Sequence, residues 1–323
     1  MARERPNSAL GVCLTQRSLR VTLLVAEGRS LFLNNLEYSP LPNGSLIQKL
    51  PEEKQWSDLV CWFKSVVSKW DFKADEIVFS FGGGPIFVKQ MPASRKKDKG
   101  TILRELEHSL SSPSEEYVFD FYFSKQMVFT VGMRKGLLDV LKTLFQEAGL
   151  PLTVVDASPF ALFNLAECTG VLPTKQTVAI LCLEESFALL ILVLGDTLLW
   201  TESLLYPPDI LVESPEELRR QDTFTKRLCA KIRLSLNRRE RFYSPKGQSS
   251  VPFGVSRILL CGLLAEAEGV RSLLSSDLRC PVDILDPFSR LSKEKFGRSP
   301  DREILPKSAF ALSTGLAYRG LLK

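Results

Sequence analysis

Two stretches of the chain share one hydrophobic pattern. The first has the apolar run Leu10-Gly11-Val12-Cys13-Leu14, the polar turn Thr15-Gln16-Arg17-Ser18, a run from Leu19 to Ala26, a turn at Glu27-Gly28 and a run from Leu31 to Tyr38. The second has Ala179-Ile180-Leu181-Cys182-Leu183, the turn Glu184-Glu185-Ser186, a run from Phe187 to Leu194, a turn at Gly195-Asp196 and a run from Leu198 to Tyr206. Each predicts strand, tight turn, strand, tight turn, strand. A three-stranded meander repeated at long range, with a cysteine at the same place in both copies, implies two related lobes and a cleft between them.

The segments between and after the repeats have other periods. Apolar residues at 56, 59, 60, 63, 66, 67 and 70 fall on one face of a helix, which should cover the first meander. Strands at 76–81 and 86–91 flank Gly82-Gly83-Gly84 and predict a hairpin around a glycine turn. A phosphate cradle is the less favoured reading of these glycines, because no helix and no Gly-Lys-Ser/Thr follows. A helix around 102–110, strands at 117–123 and 127–131 and a helix at 136–149 come next, so 75–149 reads as an inserted α+β unit. A buried strand at 152–156 then leads into a helix that Ser158-Pro159 opens. Gly170 to Gln176 is the best linker. After the second repeat the pattern predicts a long helix or helix pair over 216–243, a strand at 258–260, a turn at Cys261-Gly262, a helix at 266–274 and a strand at 282–285. A loop over 286–306 follows, then a last helix from Phe310 to Leu322 with small residues suited to tight packing.

The resulting organisation is a first lobe of 8–74 plus 150–172, the inserted unit 75–149 and a second lobe 175–323. The 308–322 helix is expected to pack back on the first lobe.

Composition narrows the classes. At 323 residues, 45% hydrophobic and 24% charged, the chain is an ordinary globular protein rather than a disordered, collagenous or disulfide-framework one. A net charge of +5 is mild for this length, and no nucleic-acid partner is expected. Ten Lys or Arg crowd the segment from Arg219 to Lys246 against two acids. That helix reads as a solvated basic face or as a surface for acidic lipid or an acidic partner. The seven cysteines show no close-pair spacing, which fits a reducing compartment and argues against zinc. His108, the one histidine, is expected on a helix surface, and a lone His weakens any nucleophile–His arrangement. No export signal is read at the N-terminus. The run Phe187–Leu194 is far shorter than the roughly twenty residues needed to span a bilayer, so the chain is expected to be soluble.

With these elements in order, the chain resembles the type IV pilus assembly protein PilM family, actin-like proteins related to FtsA. The residues that carry the resemblance are Leu10-Gly11-Val12, the stretch Val154-Val155-Asp156-Ala157-Ser158-Pro159-Phe160-Ala161-Leu162, Arg233-Leu234-Ser235-Leu236 with Phe242-Tyr243-Ser244, Leu285-Asp286-Pro287-Phe288, and Ser308 to Leu312 with Gly315 to Leu321. Each piece is weak alone; their order and spacing are specific. The resemblance implies an α/β, actin-like fold of two ribonuclease-H-like lobes with a small inserted subdomain. It implies a place on the cytoplasmic face of a bacterial inner membrane, the short cytoplasmic tail of the bitopic protein PilN bound in a groove beside the inserted subdomain, and ATP in the central cleft.

In that family the first turn of each lobe is an Asp-x-Gly followed by small hydroxyl residues, which brings backbone N–H groups to phosphate and an Asp to the hydrated Mg²⁺. Here Cys13 and Cys182 stand at the Asp positions, and Thr15 and Glu184 at the Gly positions. A neutral thiol is a poor ligand for Mg²⁺. Glu184 and Glu185 would oppose phosphate by ~1 kcal/mol or more each. Thr15, Arg17, Ser18, Arg20, Ser186 and Gly262 are the candidate remnants of an anion site, although ordinary turn residues are the favoured reading. A redox or metal pair formed by the two cysteines is disfavoured. The expectation is therefore a pseudo-ATPase scaffold without cofactor or metal. The alternatives are a functional ATPase using ATP with Mg²⁺ and the actin-like cytoplasmic part of a type II secretion platform.

Overall fold

The computed structural model describes residues 7–41, 53–70, 72–93, 99–108, 110, 112–125, 127–205, 222–243, 254–292 and 305–322. The first meander forms β1 (Ser8–Leu14), β2 (Ser18–Glu27) and β3 (Ser30–Pro40), each antiparallel to the next. Two parallel strands, β4 (Glu76–Phe81) and β8 (Leu152–Val155), extend the sheet on the other side of β1, giving the order β3-β2-β1-β4-β8. The second meander forms β9 (Thr177–Leu183), β10 (Phe187–Leu194) and β11 (Thr197–Leu205), joined in parallel by β12 (Val255–Cys261) and β13 (Val282–Ile284). Its order, β11-β10-β9-β12-β13, repeats that of the first sheet strand for strand. Tyr206, the last residue of the second repeated pattern, lies outside the described residues.

The strands are apolar on both faces because both faces are covered. In β1, Leu10, Val12 and Leu14 join a core with Leu59 and Phe63 of α1 (Glu53–Val67) and with Leu141, Leu144 and Phe145 of α3 (Lys135–Glu147). The alternate side chain Cys13 faces a central core. In β9, Val178, Ile180 and Cys182 face that same central core, while Leu181 and Leu183 face an outer one with Leu228 and Ile232 of α5 (Asp222–Tyr243) and Leu274 of α6 (Val270–Leu278). The central layer holds α4 (Ser158–Thr169) and α7 (Ala311–Leu321), so these two helices lie between the sheets. Gly11 and Gly315 permit this: a Cβ on Gly11 would strike the Ser313 carbonyl, and one on Gly315 the Ala161 carbonyl.

A third sheet, β5-β7-β6, contains β5 (Phe87–Pro92), β6 (Tyr117–Phe123) and β7 (Met127–Arg134), and α2 (Lys99–Glu107) packs Ile102 and Leu106 against Val128. This corrects the expected 76–91 hairpin. β4 is flanked by β1 and β8 and has no edge left for β5, which pairs with β7 instead. The glycines carry the chain from one sheet to the other, with φ of 116° at Gly83 and 95° at Gly84. Within 75–149, then, β4 and α3 pack with the first sheet, and β5 to β7 with α2 form the separate one. His108 stands exposed just past α2. Among the described residues no helix is long and apolar enough to cross a membrane.

Candidate functional site

The two duplicated turns lie at corresponding ends of the two sheets, and their own side chains, with Arg20, fill them. In the first turn the Thr15 N–H donates to the Ser18 carbonyl at 2.8 Å, and the N–H groups of Arg17 and Ser18 donate to Thr15 Oγ1 at 3.3 and 3.0 Å. The Thr15 and Ser18 hydroxyls also bond to each other at 3.0 Å. This closes a side-chain-stabilised turn in which Thr15 itself takes the N–H groups a phosphate would need. Arg17 is half-buried beside it, and Ser186 is buried in the second turn.

Arg20, on β2 directly opposite Cys13, is 1% exposed. Its Nη1 donates to Glu184 Oε1 at 2.9 Å and to the Ala309 carbonyl at 3.0 Å, and its Nη2 donates to Glu185 Oε1 at 3.1 Å. One guanidinium thus ties the first lobe to the turn of the second and to the segment entering α7. Burial pulls the Arg20 guanidinium toward neutrality, but the two glutamates outweigh it and hold the cation. Burial pushes Glu184 up to about 7 against the opposing pull of Arg20. The Cys13 thiol is pushed well up by burial and by Glu184, and Cys182 by its hydrogen bond with Cys261 and by burial. Both therefore stay neutral, and Cys182 Sγ donates to Glu184 Oε1 at 3.5 Å. Neutral thiols and a Glu already paired with Arg are a donor set that matches Mg²⁺ poorly. Among the described residues no three His, Cys, Asp or Glu side chains cluster as a metal site.

Gly262 has a structural reason of its own. Its φ is 93°, its N–H donates to the Ser308 carbonyl at 2.9 Å, and a Cβ there would strike the Leu183 backbone. The hydroxyls of Thr15 and Ser18 are thus spent on each other, and Arg20 on Glu184 and Glu185. None of the candidates Thr15, Arg17, Ser18, Arg20, Ser186 and Gly262 lines the neighbouring cleft cavity of about 580 Å³, which is bounded by Gly83, Phe87, Phe187 and Trp200. Across that cleft the Gln90 side chain pairs with the backbone of Thr201, one bond in each direction at 2.9 Å, and so links the small sheet to the second lobe.

On the basic helix, Lys226 and Arg227 are exposed, Lys231 donates to the Leu205 carbonyl at 2.6 Å and Arg233 pairs with Asp277 at 2.6 Å. The side chains of Arg219, Arg220, Arg238, Arg239, Arg241 and Lys246 lie outside the described residues.

A groove that reading the sequence did not place runs between β6 and β8. Cavities of about 310 and 450 Å³ both border Asp120, Val131, Val155 and Asp156. β6 and β8 are the terminal strands of their sheets, and Val118, Tyr122 and Phe123 of β6 are exposed. The one signal in the chain is the strand Tyr117-Val118-Phe119-Asp120-Phe121-Tyr122-Phe123, whose apolar residues Val118, Tyr122 and Phe123 are more than a buried strand needs and stand exposed. Asp156 is one of these shared lining residues. Its Oδ1 accepts the Ala157 N–H at 2.7 Å, while its buried Oδ2 has no hydrogen-bond partner. Burial pushes this carboxyl up to about 6, against the Ala157 N–H and the Arg319 charge.

No family model matches the chain, and no curated protein matches it in sequence. Solved structures do match it in shape. The structure described as the PilM-PilN type IV pilus biogenesis complex aligns with a TM-score of 0.73 at 19% identity, covering 97% of this chain and 98% of that one. A protein of Bacteroides thetaiotaomicron, described as having an actin-like ATPase fold and unknown function, aligns at 0.53 with 11% identity, covering 88% and 93%. At these identities the likeness is one of fold, and the chain has the actin-like ATPase fold.

Proposed function

We propose that this chain is a non-catalytic, actin-like assembly protein of a type IV pilus or related secretion machine. It works on the cytoplasmic face of the inner membrane and docks the cytoplasmic tail of a PilN-like bitopic protein. The observation that carries the non-catalytic part is the Arg20–Glu184–Glu185 cluster. It sits between the turns where phosphate and metal bind in the family this chain resembles, and it supplies from within the protein the charge balance a nucleotide would bring. No step of phosphoryl transfer is derived through these residues. The docking part is supported by near full-length likeness to a PilM–PilN complex and by an apolar groove beside the small sheet, flanked by two terminal strands suited to adding a peptide strand.

Two measurements test this. Calorimetry with ATP and Mg²⁺ is expected to give no heat of binding; micromolar affinity, or turnover lost on Ser186→Ala, overturns the non-catalytic reading. A pull-down with the tail of the PilN-like protein encoded beside this gene is expected to retain the chain. Absence of binding with both proteins folded overturns the docking reading.

A further inference from the structure

We infer that Asp156 is the specificity anchor of the β6–β8 groove and that the groove's ligand is an extended peptide carrying one Lys or Arg that reaches it. The inference rests on the docking reading above and adds the chemistry of the ligand.

Asp156 borders both cavities, together with Asp120, Val131 and Val155. Apolar surface dominates their walls, with Ile86, Val118, Val131 and Leu152 in one and Phe121, Tyr122, Phe160 and Phe163 in the other. The charged groups lining them are Asp120, Asp156, Glu167 and Asp196 against Lys142 and Arg319. Of the two cations, Lys142 pairs with Asp139 at 3.2 Å. Arg319 Nε forms an ion pair with Asp156 Oδ2 at 3.9 Å, without a hydrogen bond, and is itself 41% exposed, so an incoming cation has to share or displace it. Lys125, which lines neither cavity, lies 3.6 Å from Asp196. Acids therefore outnumber cations along the groove.

Asp156 differs from the other acids in being fixed and sheltered. Its N–H donates to the Phe79 carbonyl at 2.8 Å and its Oδ1 accepts the Ala157 N–H, so backbone and carboxyl are both tied in place. The side chain is 14% exposed, and Oδ2 is buried without a hydrogen bond. A buried acceptor left unsatisfied is costly, and a charged donor brought by a ligand relieves that cost. The flanking strands supply the rest of the recognition. A peptide laid between β6 and β8 meets strand edges on both sides, and its alternate side chains point into the cavities. A Lys or Arg directed inward meets Asp156 and Asp120 together. Apolar residues two places away cover Val118 and Tyr122.

The test uses a random decapeptide display library selected on the full chain and on Asp156→Asn, with unfolding midpoints measured for both. The wild type is expected to enrich peptides with a Lys or Arg at one constant place between apolar residues. A synthetic winner should bind Asp156→Asn at least tenfold more weakly, and replacing its basic residue with Gln should weaken binding to the wild type equally. If Asp156→Asn does not fold, Asp120→Asn and the Gln-substituted peptide on wild-type protein carry the comparison. Enrichment without a constant basic residue, equal affinity for the Asp156 variant, or no enriched peptide overturns the inference. A PilN-like tail that fails to bind sinks the docking reading but leaves this selection readable, because the library is independent of that tail.

Discussion

Arg20 is a long cation in the middle of an apolar strand, and only its partners make its burial tolerable. Two carboxylates and a carbonyl meet its terminal nitrogens, yet its Nε finds no hydrogen-bond partner, so the cluster is held at some cost. Arg20→Met should destabilise the fold by about 3–5 kcal/mol in a denaturant titration, because Glu184 and Glu185 are left facing each other in the interior. Adding Glu184→Gln and Glu185→Gln should recover most of that loss; no recovery would mean the arginine acts through packing alone. Glu184 also makes a pH signature. Its folded pKa lies near 7 against 4.5 for the free side chain, so its contribution is fully present below about 4.5 and is lost as pH rises through 7. Stability measured from pH 4.5 to 8 should fall less steeply in Glu184→Gln than in the wild type. The charges of Arg20 and Glu184 are plain in the chain. That they meet is not, because 164 residues separate them.

Periodicity made most elements legible. The helix face of Leu59, Phe63, Val66 and Val67 is buried as its spacing predicts, and Cys61 on the opposite side is exposed. The β4–β5 hairpin failed because a glycine turn between two strands has the same local pattern whether the strands pair or part. The occupied edges of β4 decide the matter, and they belong to strands distant in sequence. Small residues in the last helix foretold close contact but not with what. Gly315 meets the backbone of α4, which gives a prediction of unusual sign. Gly→Ala in an exposed helix gains up to about 1 kcal/mol, whereas Gly315→Ala should lose about 1–3 kcal/mol by overpacking. A raised unfolding midpoint for this variant would contradict the α4–α7 packing.

At the scale of the molecule, two sheets of identical strand order enclose a layer of two helices, and the cleft between the lobes is pinned by Arg20 on one side and by the Gln90–Thr201 pair on the other. A chain fastened in this way should not need nucleotide to hold its lobes together. Its unfolding midpoint should stay unchanged with Mg-ATP, although a ligand present at 100 times its Kd adds about 2.7 kcal/mol. A clear upward shift would mean the cleft still takes nucleotide. The hydrophobic pattern by itself determined the duplication and the strand–turn–strand units, because these depend on residues close in sequence. Tertiary structure alone decided that Arg20 meets two glutamates of the other lobe, that β5 leaves β4, and that two strand edges and a sheltered aspartate form one groove. Those outcomes depend on long-range pairing and on which polar atoms are cut off from water, and neither is written in local periodicity.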